Sequence, residues 1–364
     1  MAWKLSKPRA FPIGIDLGTA VIKMAQVRAV EDRLELLAAA SAEVPADCRE
    51  DVSRRMDFLG DQLPQLHKTG GFKGRKCVLS LPATETFVEH VKTAKMPPDE
   101  LDKALRRELD GKLPCDPAEA VIRHVVAGET HDDREARLEV IAMGASRRVV
   151  GGYLEMARQS NLYVIGLSLE PCAILECFGR LFRRAGDEDR VTLFLDLGPT
   201  CTQVVMGHGA KLVFARNLMG GTRQLDEAAA AALGLSADQV SATRRQLSQP
   251  DSPCAELHRI HEAMGEALRS VTREITKCLR YYESVFPARS VERAIFLGGE
   301  ALDRGLCQRM AQQINLTAQI GDPLTGIGPL AGTNAKNTLN RRVAQPAWAV
   351  AVGLSLGTQL QEAA

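Results

Sequence analysis

Two short acidic-glycine motifs, half a chain apart, carry the residue types in this sequence that are best suited to chemistry. The run IDLGT at residues 15–19 is matched by LDLGP at residues 195–199. A glycine lets the backbone approach a phosphate without a Cβ in the way, and backbone N–H groups at such a turn point outward. An aspartate beside the turn can hold the water shell of a Mg²⁺ ion. The duplication, with Asp16 in one copy and Asp196 in the other, predicts a clamp for a di- or triphosphate.

Side chains next to the two motifs can add donors to this clamp. Thr19, Thr200 and Thr202 carry hydroxyls, and Lys23 follows the first turn closely enough to add a positive charge. Two alternatives stay open from the residues alone. Lys23 fits equally well as a surface lysine at a strand end, and either motif alone fits an ordinary hairpin. Two copies half a chain apart favour the clamp.

A third glycine motif, Gly298-Gly299, ends an apolar run and precedes a helical pattern. A ligand can lie against the backbone at such a place, and the N-terminus of the helix favours negative charge. A glycine pair at a strand end is by itself most often a turn. It therefore indicates a ligand site only in combination with the two acidic motifs.

Cys254, His258 and His261 are a candidate metal trio, because spacings of four and three residues share one helix face. A fourth ligand is missing, and Arg259 and Glu262 lie among them. The pattern therefore predicts a solvated helix face rather than a metal site.

Short apolar runs around the motifs predict the elements that must position them. Residues 11–30 and 191–206 each predict two strands joined by a glycine turn, and this repeated unit predicts two related lobes. Residues 128–137 are polar and predict a hairpin loop, and Asp99 is the predicted N-cap of the helix that follows residue 96. Further strands are predicted near residues 34–40, 76–81, 87–94, 120–126, 138–143, 163–169, 211–218, 290–297 and 317–320. Further helices are predicted near residues 51–66, 147–160, 225–233, 235–286 (with a loop at 249–253), 301–314 and 347–356.

Composition and charge exclude several classes of protein. The chain has 46 Lys+Arg against 45 Asp+Glu, so there is no long-range field for nucleic acid or anionic lipid. No apolar run is long enough for a membrane helix, and the N-terminus lacks the apolar core of a secretory signal. The nine cysteines form no CxxC pair, which predicts free thiols in a cytosolic protein. We therefore expect no nucleic-acid partner and no direct membrane insertion.

Taken together, the motifs resemble the PilM family of type IV pilus assembly proteins, which lies in the ATPase superfamily of actin, FtsA and the heat-shock chaperones. Residues 14–23 resemble the first phosphate motif, 195–202 the second, and 296–302 the adenosine motif. Residues 95–101 and 113–119, KMPPDEL and LPCDPAE, resemble the insert specific to the family, and 350–357 resembles the closing helix.

The resemblance implies an α/β fold of the actin-like kind, a duplicated ribonuclease-H-like ATPase with two lobes and ATP between them. It implies subdomain 1A (residues 1–83, 166–190 and 343–364), an inserted subdomain 1C (84–165), subdomain 2A (191–222 and 290–342) and subdomain 2B (223–289).

The resemblance also assigns site residues and cofactors. ATP and Mg²⁺ are the expected cofactors, with Asp16 and Asp196 holding Mg²⁺ through water. Ala20, Val21, Pro199 and Glu300 depart from the family pattern, and no residue can be named as the base that activates water. We therefore expect ATP binding with weak or absent hydrolysis. The expected phosphate-binding residues are Asp16, Gly18, Thr19, Ala20, Lys23, Asp196, Gly198, Thr200 and Thr202, and the expected adenosine-binding residues are Gly298, Gly299 and Glu300.

The implied partner is the N-terminal cytoplasmic tail of a PilN-like inner-membrane protein, bound as an extended peptide near subdomain 1C. The implied role is a cytoplasmic scaffold, peripheral at the inner membrane, that also meets the pilus motor ATPase and further copies of itself.

Three alternatives of the same superfamily stay open. A sugar or acetate kinase needs a positioned carboxylate base, for which there is no motif. An FtsA-like cell-division protein would carry a C-terminal amphipathic membrane helix, which residues 359–364 do not resemble. The actin-like component of a type II secretion system is normally fused to a membrane helix.

Overall fold

The computed structural model describes residues 9–31, 33–132, 135–182, 186–247, 255–329 and 339–362. Within these ranges the chain forms fifteen strands and ten α-helices. The strands are β1 (Arg9–Ala10), β2 (Ile13–Leu17), β3 (Val21–Val30), β4 (Arg33–Glu43), β5 (Lys76–Ser80), β6 (Phe87–Ala94), β7 (Ala120–Asp132), β8 (Glu135–Ser146), β9 (Tyr163–Ser168), β10 (Val191–Leu197), β11 (Cys201–His208), β12 (Lys211–Met219), β13 (Val291–Leu297), β14 (Thr317–Ile320) and β15 (Ile327–Gly328). The helices are α1 (Val52–Gly70), α2 (Pro98–Glu108), α3 (Arg147–Gln159), α4 (Glu170–Gly179), α5 (Arg223–Leu233), α6 (Ala237–Leu247), α7 (Ala255–Ala263), α8 (Gly265–Val285), α9 (Arg304–Ile314) and α10 (Ala349–Glu362).

The chain divides into two compact units, each built from separate segments. Unit 1 comprises Met1–Glu85, Arg147–Arg180 and Asp322–Ala364, and unit 2 comprises Thr86–Ser146 and Leu181–Gly321. None of the helices that the structure describes is both long and apolar enough to cross a bilayer.

A seven-stranded sheet forms the centre of unit 1, in the order β15-β4-β3-β2-β5-β9 with β1 beside β3. Strands β2, β3 and β4 are antiparallel, whereas β5 pairs parallel with β2, and β9 parallel with β5. All five residues of β2 are buried, as expected for a strand that is covered on both faces.

The last helix, α10, packs very closely against this sheet and against α4. A Cβ added at Gly14 would lie 2.0 Å from the carbonyl oxygen of Ala351, and one added at Gly353 would lie 1.9 Å from that of Ala173. The buried hydroxyl of Ser355 donates to the carbonyl of Pro12 at 2.8 Å. Residues near the two ends of the sequence are therefore joined in one core.

Unit 2 repeats this topology with a five-stranded sheet in the order β12-β11-β10-β13-β14. Strands β10, β11 and β12 form the antiparallel part, and β13 and β14 follow in parallel. The two acidic motifs lie at the same hairpin of each sheet, between β2 and β3 and between β10 and β11. The repeat in the sequence thus marks a repeat in topology.

A second sheet of unit 2 is three-stranded and antiparallel, in the order β6-β8-β7. Helix α2 covers it, burying Leu101, Leu105 and the following Leu109 in one apolar cluster with Phe87 and Val140. The expected insert of residues 84–165 spans both units, because α3 and β9 belong to unit 1, where β9 pairs with β5.

Several local predictions differ from the structure. The predicted hairpin loop over residues 128–137 is mostly strand, because β7 and β8 stay paired as far as Asp132 and Glu135, and residues 133–134 lie outside the described ranges. Asp99 is not an N-cap: Pro97 takes that position and Pro98 begins the helix, so Asp99 lies in its first turn.

One predicted helix begins later than expected, and one helix of the structure was not predicted. The segment 299–302 is a 3₁₀ turn, and α9 begins afterwards because the Asp303 carboxylate accepts from the Leu306 N–H at 3.0 Å. Helix α4 was not predicted at all. The predicted loop at residues 249–253 lies outside the described part of the chain.

Candidate nucleotide site

The first acidic hairpin, in unit 1, joins its aspartate to its lysine. Asp16 and Lys23 lie directly opposite each other in the β2–β3 pair, and Lys23 Nζ is 3.0 Å from Asp16 Oδ2. The side chain of Lys23 is 14% exposed and that of Asp16 7%. The alternative of a surface lysine is therefore wrong, since this amine is mostly buried and already forms an ion pair with the carboxylate.

The turn between β2 and β3 is close-packed. A Cβ at Gly18 would come within 2.8 Å of the carbonyl oxygen of Val21. Thr19 and Ala20 are both buried, and the carbonyl of Ala20 accepts from the N–H of Val44 at 2.8 Å. The loop is thus held from both sides by backbone contacts.

The second acidic hairpin, in unit 2, has the same backbone arrangement. A Cβ at Gly198 would come within 2.9 Å of the carbonyl of Cys201, and the Gly198 N–H donates to that carbonyl at 3.1 Å. Asp196 lies opposite Gln203, which takes the place that Lys23 has in the first copy. The two hairpins therefore share their turn and differ in charge.

The loop after Asp196 is hydrogen-bonded to the segment 220–223, which lies between the predicted strand at 211–218 and the predicted helix at 225–233. The N–H groups of Gly220, Thr222 and Arg223 donate to the carbonyls of residues 200, 198 and 199 at 2.9, 3.0 and 2.9 Å. Gly221 has φ +50°, and a Cβ there would lie 2.4 Å from the Gly198 carbonyl oxygen. The run Gly220-Gly221-Thr222, directly after β12, was the sequence signal that could have indicated these contacts with the loop.

In the segment that holds this loop, the side chain of Thr222 is buried with its hydroxyl group unsatisfied in the described part of the chain. It is 2% exposed, and its Oγ1 makes no hydrogen bond within the described residues. Since its own N–H and that of Arg223 already bond to loop carbonyls, the first turn of α5 is used to hold the loop.

The glycine pair at 298–299 lies beside the second acidic motif. Asp196 is opposite Leu297 in the parallel β10–β13 pair, so the strand ends adjoin. Gly298 has φ +84°, and a Cβ there would lie 2.4 Å from Asp196 Oδ1 and 2.3 Å from the Leu197 carbonyl oxygen. Unit 2 thus brings two of the predicted motifs together at a place that a side chain would fill.

Comparison with known proteins shows the family. The model of the type IV pilus assembly protein PilM matches residues 14–359. The chain belongs to the PilM family. It is similar to the solved PilM–PilN type IV pilus biogenesis complex, with 23% identity and a TM-score of 0.78 over 95% of this chain and 98% of that one.

A more distant likeness is to the ethanolamine utilization protein EutJ from Carboxydothermus hydrogenoformans. The identity is 12% and the TM-score 0.54, over 97% of this chain and 91% of that one. The fold is the α/β actin-like ATPase fold, as the resemblance implied. The main sheet of each unit is mixed, with both antiparallel and parallel strands.

In this PilM-family chain, Glu300 does not carry a free charge. It is 4% exposed, and its two carboxylate oxygens accept from Arg244 at 2.5 Å and from Arg245 at 2.8 Å. Burial acts to raise the pKa of Glu300, but the attraction and hydrogen bonds of the two guanidinium groups outweigh it and lower the pKa. The negative charge beside Gly299 is therefore compensated.

Among the described residues, no three His, Cys, Asp or Glu side chains gather in a group that could hold a metal ion. His258 is exposed and pairs with Glu262 at 3.0 Å, as predicted for a solvated face. His261 departs from that prediction, because it is buried against Asp303 at 2.8 Å. Cys254 lies outside the described ranges.

Proposed function

We propose that this PilM-family protein is a nucleotide-binding, actin-like scaffold of the type IV pilus machinery. On this proposal it binds the N-terminal cytoplasmic tail of a PilN-like inner-membrane protein and is thereby held, from the cytoplasm, at the inner membrane. The observation that most supports the nucleotide half is the backbone of Gly298 lying against the carboxylate of Asp196, because that approach leaves backbone groups free of any Cβ at a strand end.

In each unit, taken by itself, the acidic hairpin carries residue types that fit a nucleotide phosphate and Mg²⁺. Backbone groups around Gly18 in unit 1 would receive phosphate, and those around Gly198 and Gly298 in unit 2 would receive phosphate and adenosine, with the nearby threonine hydroxyls as further donors. Mg²⁺ commonly binds one or two carboxylates together with phosphate oxygens, a role open to Asp16 and Asp196. The ion supplies neutralisation of phosphate charge. Weak or absent hydrolysis suits a scaffold, since none of the residues named at the site is an evident base for water.

The tail-binding half is supported by an exposed edge strand of unit 1. Strand β9 is the last in the sheet order, and Tyr163, Ile165 and Leu167 are 64%, 42% and 37% exposed. Alternate residues of a strand share a face, so these three form one apolar row. An edge strand offers backbone groups to an extended peptide, and the side chains beside it give specificity.

We commit to a PilN-like tail as the occupant of this edge. A PilM structure similar to this chain was solved in complex with PilN, and an extended peptide with apolar side chains at alternate positions would match the row on β9. The pilus motor ATPase and further copies of this chain are additional proposed partners.

The proposal is tested by fluorescence anisotropy with a labelled synthetic PilN-like tail, with and without Mg-ATP. We expect the wild-type chain to bind the tail and Ile165→Asp to bind it at least about tenfold more weakly, a loss of about 1.4 kcal/mol. Val52→Asp is the matched control, because Val52 is also exposed (47%) and lies on α1 of the same unit. We expect this control to bind within about twofold of wild type.

Two results would contradict the proposal in different ways. A wild-type chain that binds no PilN-like tail removes the scaffold role. Equal binding by the wild type and Ile165→Asp would show that the tail binds elsewhere than β9, and it would not contradict the scaffold role.

A further inference from the structure

The turn that carries Gly298 is held at its other end by a buried arginine of α6. Glu300 ends the short run Gly298-Gly299-Glu300, and Arg244 Nη2 donates to its Oε2 at 2.5 Å. Arg244 is 1% exposed. Arg245 donates to the second oxygen at 2.8 Å, but its side chain is 44% exposed.

Arg244 joins this turn to two further elements. Its guanidinium donates to both oxygens of Asp226 on α5, at 3.1 and 3.2 Å, and lies 3.4 Å from Asp303 at the start of α9. His261 on α7 contacts the same Asp303 oxygen at 2.8 Å. The planar guanidinium of Arg244 thus bonds to carboxylates of α5, of the 3₁₀ turn and of the residue before α9. Helix α7 is linked to the same cluster through His261.

The charges make this arrangement depend on Arg244. Asp226, Glu300 and Asp303 are each at most 4% exposed, and a buried carboxylate is strongly unfavourable unless it is paired. Burial raises the pKa of Asp226 even with Arg244 beside it, so this carboxylate is the least well compensated of the three. Without Arg244, all three carboxylates lose a buried counter-charge.

The two ends of the turn therefore contact different side chains, Asp196 at one end and Arg244 at the other. At one end Gly298 touches the Asp196 carboxylate, with 2.4 Å between Oδ1 and the place of a Cβ. At the other end Glu300 is bonded to Arg244, and it lies in the 3₁₀ turn Gly299–Leu302, which begins directly after Gly298. A displacement of Glu300 is transmitted to Gly298 because so few residues separate them.

From this geometry we infer that Arg244 is a positioning residue for nucleotide binding: it sets the distance between the Gly298 backbone and Asp196, and it links that distance to α5, α6 and α7. The inference rests on the proposed nucleotide-binding function. It assigns Glu300 to the support of the turn, and not to direct contact with the purine.

The alternative is that the cluster only stabilises unit 2, and a second buried residue of α6 separates the two roles. Val240 lies one helical turn before Arg244 and is fully buried. Val240→Ala weakens the packing of α6 and removes none of the hydrogen bonds of the cluster. A purely stabilising role predicts that equal losses of thermal stability give equal effects on nucleotide binding.

The test uses the full-length chain with Mg-ATP in isothermal titration calorimetry, with melting temperatures measured without nucleotide. The variants are Arg244→Lys, Glu300→Gln and Val240→Ala. Lysine keeps the charge but has no planar fork to reach three carboxylates. We expect Arg244→Lys to weaken ATP binding about tenfold or more and Glu300→Gln about threefold or more, while Val240→Ala stays within about twofold although it melts at a lower temperature.

The outcomes distinguish this inference from the proposed function. Wild-type chain that binds no ATP overturns the nucleotide-binding function and the inference with it. Wild-type chain that binds ATP, with Glu300→Gln and Arg244→Lys within twofold of it, overturns the inference alone. Val240→Ala losing as much affinity as the other two also overturns it. If Arg244→Lys does not fold, Glu300→Gln against Val240→Ala decides the question.

Discussion

Lys23 and Gln203 occupy equivalent positions in the two hairpins and give their aspartates different surroundings. Asp16 faces a lysine amine across the strand pair at 3.0 Å, whereas Asp196 faces a neutral amide side chain. Removal of the Asp16 charge would leave a mostly buried ammonium group without its carboxylate, which is costly in itself. We therefore test the role of the carboxylate at Asp196, where a substitution leaves the Asp16–Lys23 ion pair in place.

We predict that Asp196→Asn weakens Mg-ATP binding about tenfold, because a neutral amide no longer attracts the hydrated Mg²⁺ ion. Calorimetry at constant ionic strength measures the affinity. Asp189→Asn is the control, since Asp189 is an exposed aspartate of the same unit, and its affinity should stay near that of wild type. Equal affinities for wild type and Asp196→Asn would argue against an ionic role for this carboxylate.

Helix α10 shows how a single element can depend on one glycine. Its Gly353 lies so close to α4 that a Cβ would be 1.9 Å from the carbonyl of Ala173, a distance that backbone movement alone can relieve. The Ser355 hydroxyl accepts from the Val27 N–H at 3.0 Å and donates to the Pro12 carbonyl, so the same helix also bonds to a backbone N–H of β3 and to the backbone carbonyl directly before β2.

We predict that Gly353→Ala lowers the free energy of unfolding of unit 1 by about 3 kcal/mol, because overpacking forces the backbone of α4 or α10 to move. The same substitution at Gly151, in α3, meets no atom within 4 Å. Gly151→Ala should be neutral or stabilising by up to about 1 kcal/mol, as in an open helix interior. Urea unfolding compares the two, and a Gly353→Ala chain as stable as Gly151→Ala would refute the close packing.

The elements differ in how well the sequence predicted them. The hairpins around the acidic motifs were predicted correctly because short apolar runs and glycine turns are local signals. The polar residues that continue β7 and β8 were expected to be a loop, since their strand form depends on pairing with each other and not on their own hydropathy. The wrong N-cap at Asp99 has a simpler cause, because Pro98 fits the first helical turn equally well.

The molecule as a whole is built from interleaved segments. Unit 1 takes three stretches of chain and unit 2 takes two, so each core closes only when distant segments meet. Buried free cysteines lie in both cores, and burial raises the pKa of the thiols of Cys77 and Cys177 in unit 1 to about 12 and of Cys278 in unit 2 to about 11. These thiols can therefore report on the two units separately.

We predict that iodoacetamide at pH 8 leaves Cys77, Cys177 and Cys278 unmodified in the native chain. Alkylation needs the thiolate, and the raised pKa and the burial both remove it at a pH well below about 11. With rising urea, Cys77 and Cys177 should become reactive at one common concentration, since both belong to unit 1. Peptide mass spectrometry measures the modified fraction of each cysteine.

Cys48 and Cys115 provide the internal control for this experiment, because both are partly exposed in the native structure. They should react without urea. Separate urea transitions for Cys77 and Cys177 would show that unit 1 does not unfold as one body.

What the sequence determined by itself is the local part of the candidate site. The apolar strands, the Asp-x-Gly turns, their duplication and the glycine pair all depend on residues a few positions apart, and sequence patterns record such short-range requirements directly. These patterns were enough to indicate the family and the fold.

The tertiary structure decided which of these residues meet. Gly298 lies against Asp196 because β13 pairs with β10, and Glu300 is neutralised by Arg244 from 56 residues away. Arg244 itself looks like any charged residue of a polar helix in the sequence. Its burial depends on three carboxylates that only the folded chain brings together, since long-range pairing between charges leaves no periodic mark on the sequence.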